Sequence, residues 1–239
     1  MMTAALTTSA FWDDAWSHKL ADYLSARPRT GQYMAARLPR RTDGILEVGA
    51  GSARDSIYLS RVGYRGVVAS DFSPKCIEEL GRRFPDRARM FRVADAFALP
   101  FPDKSFDVVF HNGLFVNFRD DDDIVRMLKE QVRVARKWIV ALVHNGENER
   151  LVAEFKRQAK TDPIFDLRFF TRGDVRGIAS PFGAVHVEKF GGKWDALANS
   201  SVKGIPNPLA PFAKSLPAHL YQLQPWRWAE RLACWIRVQ

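Results

Sequence analysis

Cysteine is scarce in this chain: two residues among 239, Cys76 and Cys234, standing far apart. That excludes a disulfide-dense secreted scaffold and matches no metal-binding spacing, so both thiols are expected to be structural, in a reducing compartment. No apolar run approaches the roughly 20 residues that cross a bilayer. The first ten residues lack the basic start and long apolar stretch of a secretory leader, so a cytoplasmic location without a membrane span is the expectation. There is no internal repeat, no low-complexity tract and no charged tail. Lys and Arg outnumber Asp and Glu by 36 to 27, a formal charge of +9, yet only Arg37, Arg40 and Arg41 form a small cluster. Such an excess can attract nucleic acid or an anionic surface, but its even spread favours a basic surface on an enzyme for small molecules.

What the chain does have is length, and a 46% apolar share, enough for one α/β domain with a proper core. Short apolar runs at 44–48, 66–70, 89–94, 105–110 and 137–143 read as strands. Between them, 53–62, 74–84 and 120–135 read as helices, the alternation of a parallel sheet covered on both faces. Ser73 before Pro74 is an N-cap followed by a first-turn proline. Further on, 147–160 reads as a helix, and 184–190 and 232–238 as strands. Ahead of the sheet, 11–38 reads as one or two helices broken at Pro28. Trp12, Trp16, Leu20 and Tyr23 recur there at helical spacing, which suits a core face and equally a helix folded over a ligand. The whole of 1–239 is read as one domain, with 1–40 as an N-terminal helical cap. Residues 191–229 hold Pro206, Pro208, Pro211, Pro217 and Pro225, which argues against regular structure. That stretch is read as an insertion between the last two strands, serving as a substrate lid; a structural belt or an oligomer contact is the alternative. Its Trp194, Trp226 and Trp228 suit an acceptor pocket or core packing.

The strongest local signal runs from Ile45 through Glu47, Gly49, Ala50 and Gly51 to Ala53: an apolar strand, a glycine bend, then a helix. A dinucleotide-binding turn would place a third glycine at position 54, where this chain has arginine. The acid two positions before Gly49, with small Ala53 in the third small-residue slot, instead resembles the E-x-G-x-G-x-G motif of class I S-adenosylmethionine-dependent methyltransferases, with alanine for the last glycine. Three further features fall in the family's order. Asp71 closes the second strand, where a carboxylate can accept two ribose hydroxyls. Asp95 follows the third strand, and 106–113 resembles the fourth strand with its exit loop. The likeness covers about 44–143.

This resemblance implies a Rossmann-like seven-stranded α/β sheet, helices on both faces, whose last strand is antiparallel. It implies S-adenosylmethionine as cofactor, lying across the carboxyl ends of the strands. The cofactor-binding residues it points to are Glu47, Gly49, Ala50, Gly51, Asp71, Phe72, Asp95, Ala96, His111 and Asn112. Glu47 would contact the loop or the cofactor's ammonium, and Asp95 the adenine amino group. Arg54 and Asp55 are expected at the surface, although the cofactor carboxylate is within their repertoire.

Methyl transfer is an in-line displacement from an activated leaving group, so alignment matters more than any one catalytic residue. A base is required only when the acceptor holds its proton tightly. His111, His144 and His18 are candidates, the first two because they follow strands on the ligand side. Many relatives carry Glu-His-Phe after the fourth strand; this chain has Val116, Asn117 and Phe118, leaving Asn117 to orient an acceptor. Asp120 to Asp123 read as helix capping rather than a metal site. The expected reaction is methylation of oxygen, nitrogen or carbon on a small-molecule metabolite or natural-product intermediate. An RNA or protein methyltransferase, or an enzyme cutting another bond of the sulfonium such as a cyclase, is the alternative. Nothing in the sequence speaks to oligomeric state.

Overall fold

The computed structural model describes residues 8–192 and 220–238. Seven strands form one sheet in the order β3-β2-β1-β4-β5-β7-β6. They are β1 (Asp43–Val48), β2 (Arg65–Asp71), β3 (Phe91–Val93), β4 (Phe106–Asn112), β5 (Ala135–His144), β6 (Gly183–Phe190) and β7 (Arg231–Val238). Pairings among β1 to β5 are parallel, while β7 runs antiparallel to both β5 and β6. The sheet is therefore the one the resemblance implied.

The helices are α1 (Ser9–Ser25), α2 (Arg29–Arg37), α3 (Arg54–Arg61), α4 (Pro74–Arg83), α5 (Asp121–Val134), α6 (Glu149–Gln158) and α7 (Arg172–Ala179). Strand side chains alternate between faces, and the buried set divides accordingly. Ile45, Phe110, Leu142, Ala233 and Trp235 pack with Leu20, Met34, Leu59 and Leu80 of the first four helices. Leu46, Val109, Ile139, Val143, Cys234 and Ile236 pack on the opposite face with Ile124, Met127 and Leu128 of α5 and Val175 of α7. Both cysteines are buried and free.

Several local readings hold in detail. Ser73 Oγ accepts from the Cys76 amide and Pro74 opens α4. Asp120 caps α5, accepting from the Asp122 amide, with Asp121 to Asp123 in its first turn. Pro28 separates α1 from α2. Other boundaries move. The third strand shrinks to three residues because a 3-10 turn, Pro85–Met90, replaces its expected beginning. The fourth strand extends through Asn112, two residues beyond expectation. Helix α7 was not anticipated, although Thr171 and Asp174 form a reciprocal capping box at its start. Of the expected lid at 191–229, residues 193–219, including Trp194, lie outside the described residues. No helix among the described residues is long and apolar enough to cross a membrane.

Candidate functional site

The carboxyl ends of β1, β2, β4 and β5 open into a cavity of about 550 Å³, within the rough 300–1,000 Å³ range of small-molecule sites. Its floor is the glycine bend after β1. Gly51 has φ +51°, in left-handed space that suits glycine. A methyl group there would come within 2.4 Å of the Trp16 indole. Helix α1 thus lies directly on the bend, and Trp12, Trp16 and Tyr23 line the cavity. Asp13 fastens that helix, accepting from Ser73 Oγ at 2.5 Å and the Lys75 amide at 3.2 Å. Ala53 also adopts positive φ, +51°, the conformation a glycine would hold without strain. It precedes α3 rather than beginning it.

Asp71 is the hub of this end. Its Oδ2 accepts from the Gly51 amide at 2.7 Å and its Oδ1 from the Ser73 amide at 3.0 Å. Burial raises its pKa, and the hydrogen bonds from Ser73, Gly51 and Phe72 oppose that rise. These amides orient the side chain, and the carboxylate still lines the cavity, where its remaining acceptor capacity can meet a ligand hydroxyl. Phe72, 38% exposed, lies beside it on the cavity wall. Asp95 Oδ1 accepts from the Phe97 amide at 2.9 Å, which turns the chain after β3 across the cavity.

Behind the bend sit two buried acids. Glu47 Oε2 accepts from the Ser56 amide at 3.2 Å and hydroxyl at 2.6 Å. Burial, then the nearby charge of Asp55, push its pKa up to about 8. Asp55 Oδ1 accepts from the Gly31 amide at 2.7 Å, and its Oδ2 from Asn112 Nδ2 at 3.3 Å. Asp55 is 2% exposed and Arg54 lines the cavity, so the surface role expected for this pair is corrected. The helix begins right at the bend, and Asp55, Ser56 and Ile57 of its first turn are buried.

Of the residues expected to bind cofactor, Glu47, Gly49, Ala50, Gly51, Asp71, Phe72, Asp95, Ala96 and Asn112 all line the cavity. His111 does not. Because β4 continues through Asn112, strand alternation turns His111 to the opposite face, against the Phe115 ring at a centroid distance of 3.9 Å. It is fully buried, neither ring nitrogen has a partner, and burial lowers its pKa to about 3. The His111 side chain therefore stands outside the cavity, contrary to the expectation that placed it on the ligand side. The exposed His18 stands outside the cavity beside Asp14, 3.8 Å away.

His144 and Asn117 do reach the cavity. Asn117 Nδ2 donates to the carbonyls of Gly113 and Leu114, both at 3.1 Å. The His144 ring packs on Phe155 and Phe169, and its Nδ1 has no partner. Burial, then the charge of Arg231, hold its pKa well below the ordinary histidine value, so the ring is neutral. Phe155 on α6, with Ile164, Phe165 and Leu167, forms an apolar wall opposite the glycine bend. Trp226 packs under Arg172 and Lys189 and does not face the cavity. Sequence reasoning missed Arg231, which enters the site from the first position of β7. Among the described residues no cluster of His, Cys, Asp and Glu has the geometry of a metal site.

A family model described as a methyltransferase domain matches residues 45–137. The chain is 34% identical over 124 residues to a demethylmenaquinone methyltransferase of Beutenbergia cavernae, covering 52% of this chain and 44% of that protein. It is 33% identical over 105 residues to the 27-O-demethylrifamycin SV methyltransferase of Amycolatopsis mediterranei, covering 41% and 37%. The match thus spans less than half the length of either relative. Among solved structures, a SAM-dependent methyltransferase from Archaeoglobus fulgidus aligns with TM-score 0.62 at 13% identity, over 90% of this chain and 96% of that one. A magnesium protoporphyrin IX methyltransferase from Synechocystis, solved with bound SAH, aligns with TM-score 0.53 at 11% identity, over 94% and 83%. At these identities the likeness is one of fold.

Proposed function

Given that the chain belongs to the class I S-adenosylmethionine-dependent methyltransferase family, we propose that it moves a methyl group from S-adenosylmethionine to oxygen, nitrogen or carbon of a small organic molecule. The observation that carries this reading is Asp71, fixed by the Gly51 and Ser73 amides at the rim of the glycine bend and lining the cavity. A carboxylate held at that place suits the hydroxyls of a bound sugar. The bound cofactor supplies a methyl group on a positively charged sulfur.

The chain's own groups then have three tasks. Asp71 and the bend hold the nucleoside, with Phe72 and Asp95 flanking the base and Glu47 facing the amino-acid end. Trp12 and Trp16 cover the bend from α1 and exclude water, which strengthens every polar contact inside. His144 presents a neutral ring to the acceptor end of the cavity, and Asn117 orients the acceptor there. The wall of Phe155, Ile164, Phe165 and Leu167 suits an apolar or aromatic acceptor body. The two curated relatives support the same substrate class, since their names give demethylmenaquinone and 27-O-demethylrifamycin SV as acceptors.

Calorimetry with S-adenosylmethionine and S-adenosylhomocysteine tests the reading. Binding is expected for both, weakened roughly tenfold or more by Asp71→Ala through loss of charge-assisted hydrogen bonds. Absence of heat with both ligands, or an Asp71→Ala variant that binds like wild type, overturns it. Turnover on candidate small molecules should release S-adenosylhomocysteine; methylthioadenosine would instead indicate cleavage of a different sulfonium bond.

A further inference from the structure

The charges at the inner end of the cavity do not balance. Arg29, Arg54 and Arg231 converge there with the acids Glu230 and Asp55. Arg29 pairs with Glu230 at 2.8 Å. Asp55 is occupied by the Gly31 amide and the Asn112 side chain, with Arg54 Nε at 3.8 Å. Glu47, held neutral around pH 7 by its raised pKa, adds little charge. Arg231 is left over. It donates from Nη1 to Asn112 Oδ1 and makes no ion pair among the described residues. It is partly buried, and it lines the cavity. Burial, then the charge of Arg29, lowers its pKa to about 10, so it is still protonated at neutral pH.

Its placement follows from register. Arg231 pairs with His144 across β5 and β7, and Asn112 pairs with Leu142 across β4 and β5. Alternation puts Asn112, His144 and Arg231 on one face of the sheet. The long arginine side chain reaches back over β5 to Asn112 and so stands where the glycine-bend half of the cavity meets the aromatic half. Asn145 anchors the approach, its amide accepted by the Trp226 carbonyl at 2.7 Å and the Ala229 carbonyl at 3.0 Å, and its backbone N–H donating to Glu230 O at 3.1 Å. A desolvated guanidinium without a counter-charge is costly, whereas one meeting a carboxylate forms two parallel, charge-assisted bonds.

We propose that Arg231 is the residue that anchors a carboxylate inside this cavity. The carboxylate arrives either on the amino-acid end of the cofactor or on the acceptor; the reading rests on the nucleoside site proposed above. Arg231 acts as a binding and positioning residue. It sets the ligand beside the His144 ring without taking part in bond exchange.

The test uses the full chain and three probes: S-adenosylhomocysteine, 5′-methylthioadenosine, which has the same nucleoside thioether but no amino acid, and benzoate added to the S-adenosylhomocysteine complex. Each is titrated into wild type, Arg231→Gln and Arg231→Lys. A cofactor carboxylate predicts that Arg231→Gln weakens S-adenosylhomocysteine roughly ten- to hundredfold, leaves methylthioadenosine unchanged, and is partly rescued by lysine. An acceptor carboxylate predicts unchanged affinity for both nucleosides, with benzoate bound by the wild-type complex and lost in Arg231→Gln. Methylthioadenosine binding also reports whether each variant is folded. Should Arg231→Gln not fold, the Arg231→Lys series decides, since a lysine cannot form the two parallel bonds and must weaken one of the two carboxylates. If neither carboxylate probe depends on Arg231 while methylthioadenosine binds normally, the proposal fails and the nucleoside site stands. If wild type binds neither nucleoside, both readings fail.

Discussion

Replacing Glu47 with glutamine removes one buried ionisable group and keeps an oxygen for Ser56 to bond. The carboxyl is 2% exposed, and its pKa in the fold is about 8, raised by burial and then by Asp55. In the unfolded chain it returns to about 4.3. Between those values the folded protein holds a proton that the unfolded chain has released. Stability must therefore fall as pH rises across this window, by about 1.4 kcal/mol per pH unit in its middle and on the order of 5 kcal/mol in all. Glu47→Gln does not titrate and should escape that loss. Denaturant unfolding of ligand-free protein at intervals from pH 5 to 9 is the assay. The two proteins should be similar at pH 5, with the variant the more stable by a few kcal/mol at pH 9. Parallel curves, or a wild type that gains stability with rising pH relative to the variant, would refute the reasoning. The same proton links to ligand. If the cofactor's ammonium pairs with ionised Glu47, binding near pH 7 must release a proton, visible as a dependence of the heat on buffer ionisation enthalpy.

Other substitutions separate structure from function. His111→Leu should keep cofactor affinity and resist acid better than wild type. Burial holds His111 near pKa 3, so its folded form cannot take the proton the unfolded chain binds below about pH 6.5, which costs wild type roughly 1.4 kcal/mol per pH unit on acidification. Acid-unfolding midpoints check this, and loss of cofactor affinity in a folded variant would contradict the burial. Gly51→Ala places a methyl within 2.4 Å of Trp16 at positive φ. It should cost about 1–2 kcal/mol in strain and weaken S-adenosylhomocysteine by lifting α1 from the bend; an unchanged melting temperature and affinity would count against that contact. Asp107 bonds Arg136 at 2.8 Å and Lys137 at 2.9 Å at the opposite end of the sheet. Asp107→Asn should lose about 1.5–3 kcal/mol of stability with cofactor binding intact, measured by urea unfolding and calorimetry.

The parts of the site legible from the sequence are those written in short stretches. The bend from Glu47 to Gly51, Asp71 at one strand end and Asp95 past another could be read because a strand, its terminal residue and the turn after it are neighbours in the chain. Capping at Ser73 and Asp120 was legible for the same reason. The errors were also local, but of small size and large consequence. Ending the fourth strand two residues early left His111 looking like a loop residue on the ligand side, whereas one more pleat turns it into the core. Expecting Arg54 and Asp55 at the surface placed them in water, whereas α2 bonds Asp55 through the Gly31 amide and Arg54 reaches the Tyr23 carbonyl.

By itself the sequence determined the order of elements, the glycine bend and the acids that follow it, because local periodicity and turn chemistry need no distant partner. Only the tertiary structure decided what shares the cavity. Helix α1 brings Trp16 onto Gly51, and α6 brings Phe155 onto His144. The antiparallel insertion of β7 beside β5 carries Arg231 to Asn112, 119 positions earlier in the chain. Those meetings depend on strand order and register, which are settled by burying two sheet faces at once, and no short stretch of residues encodes that.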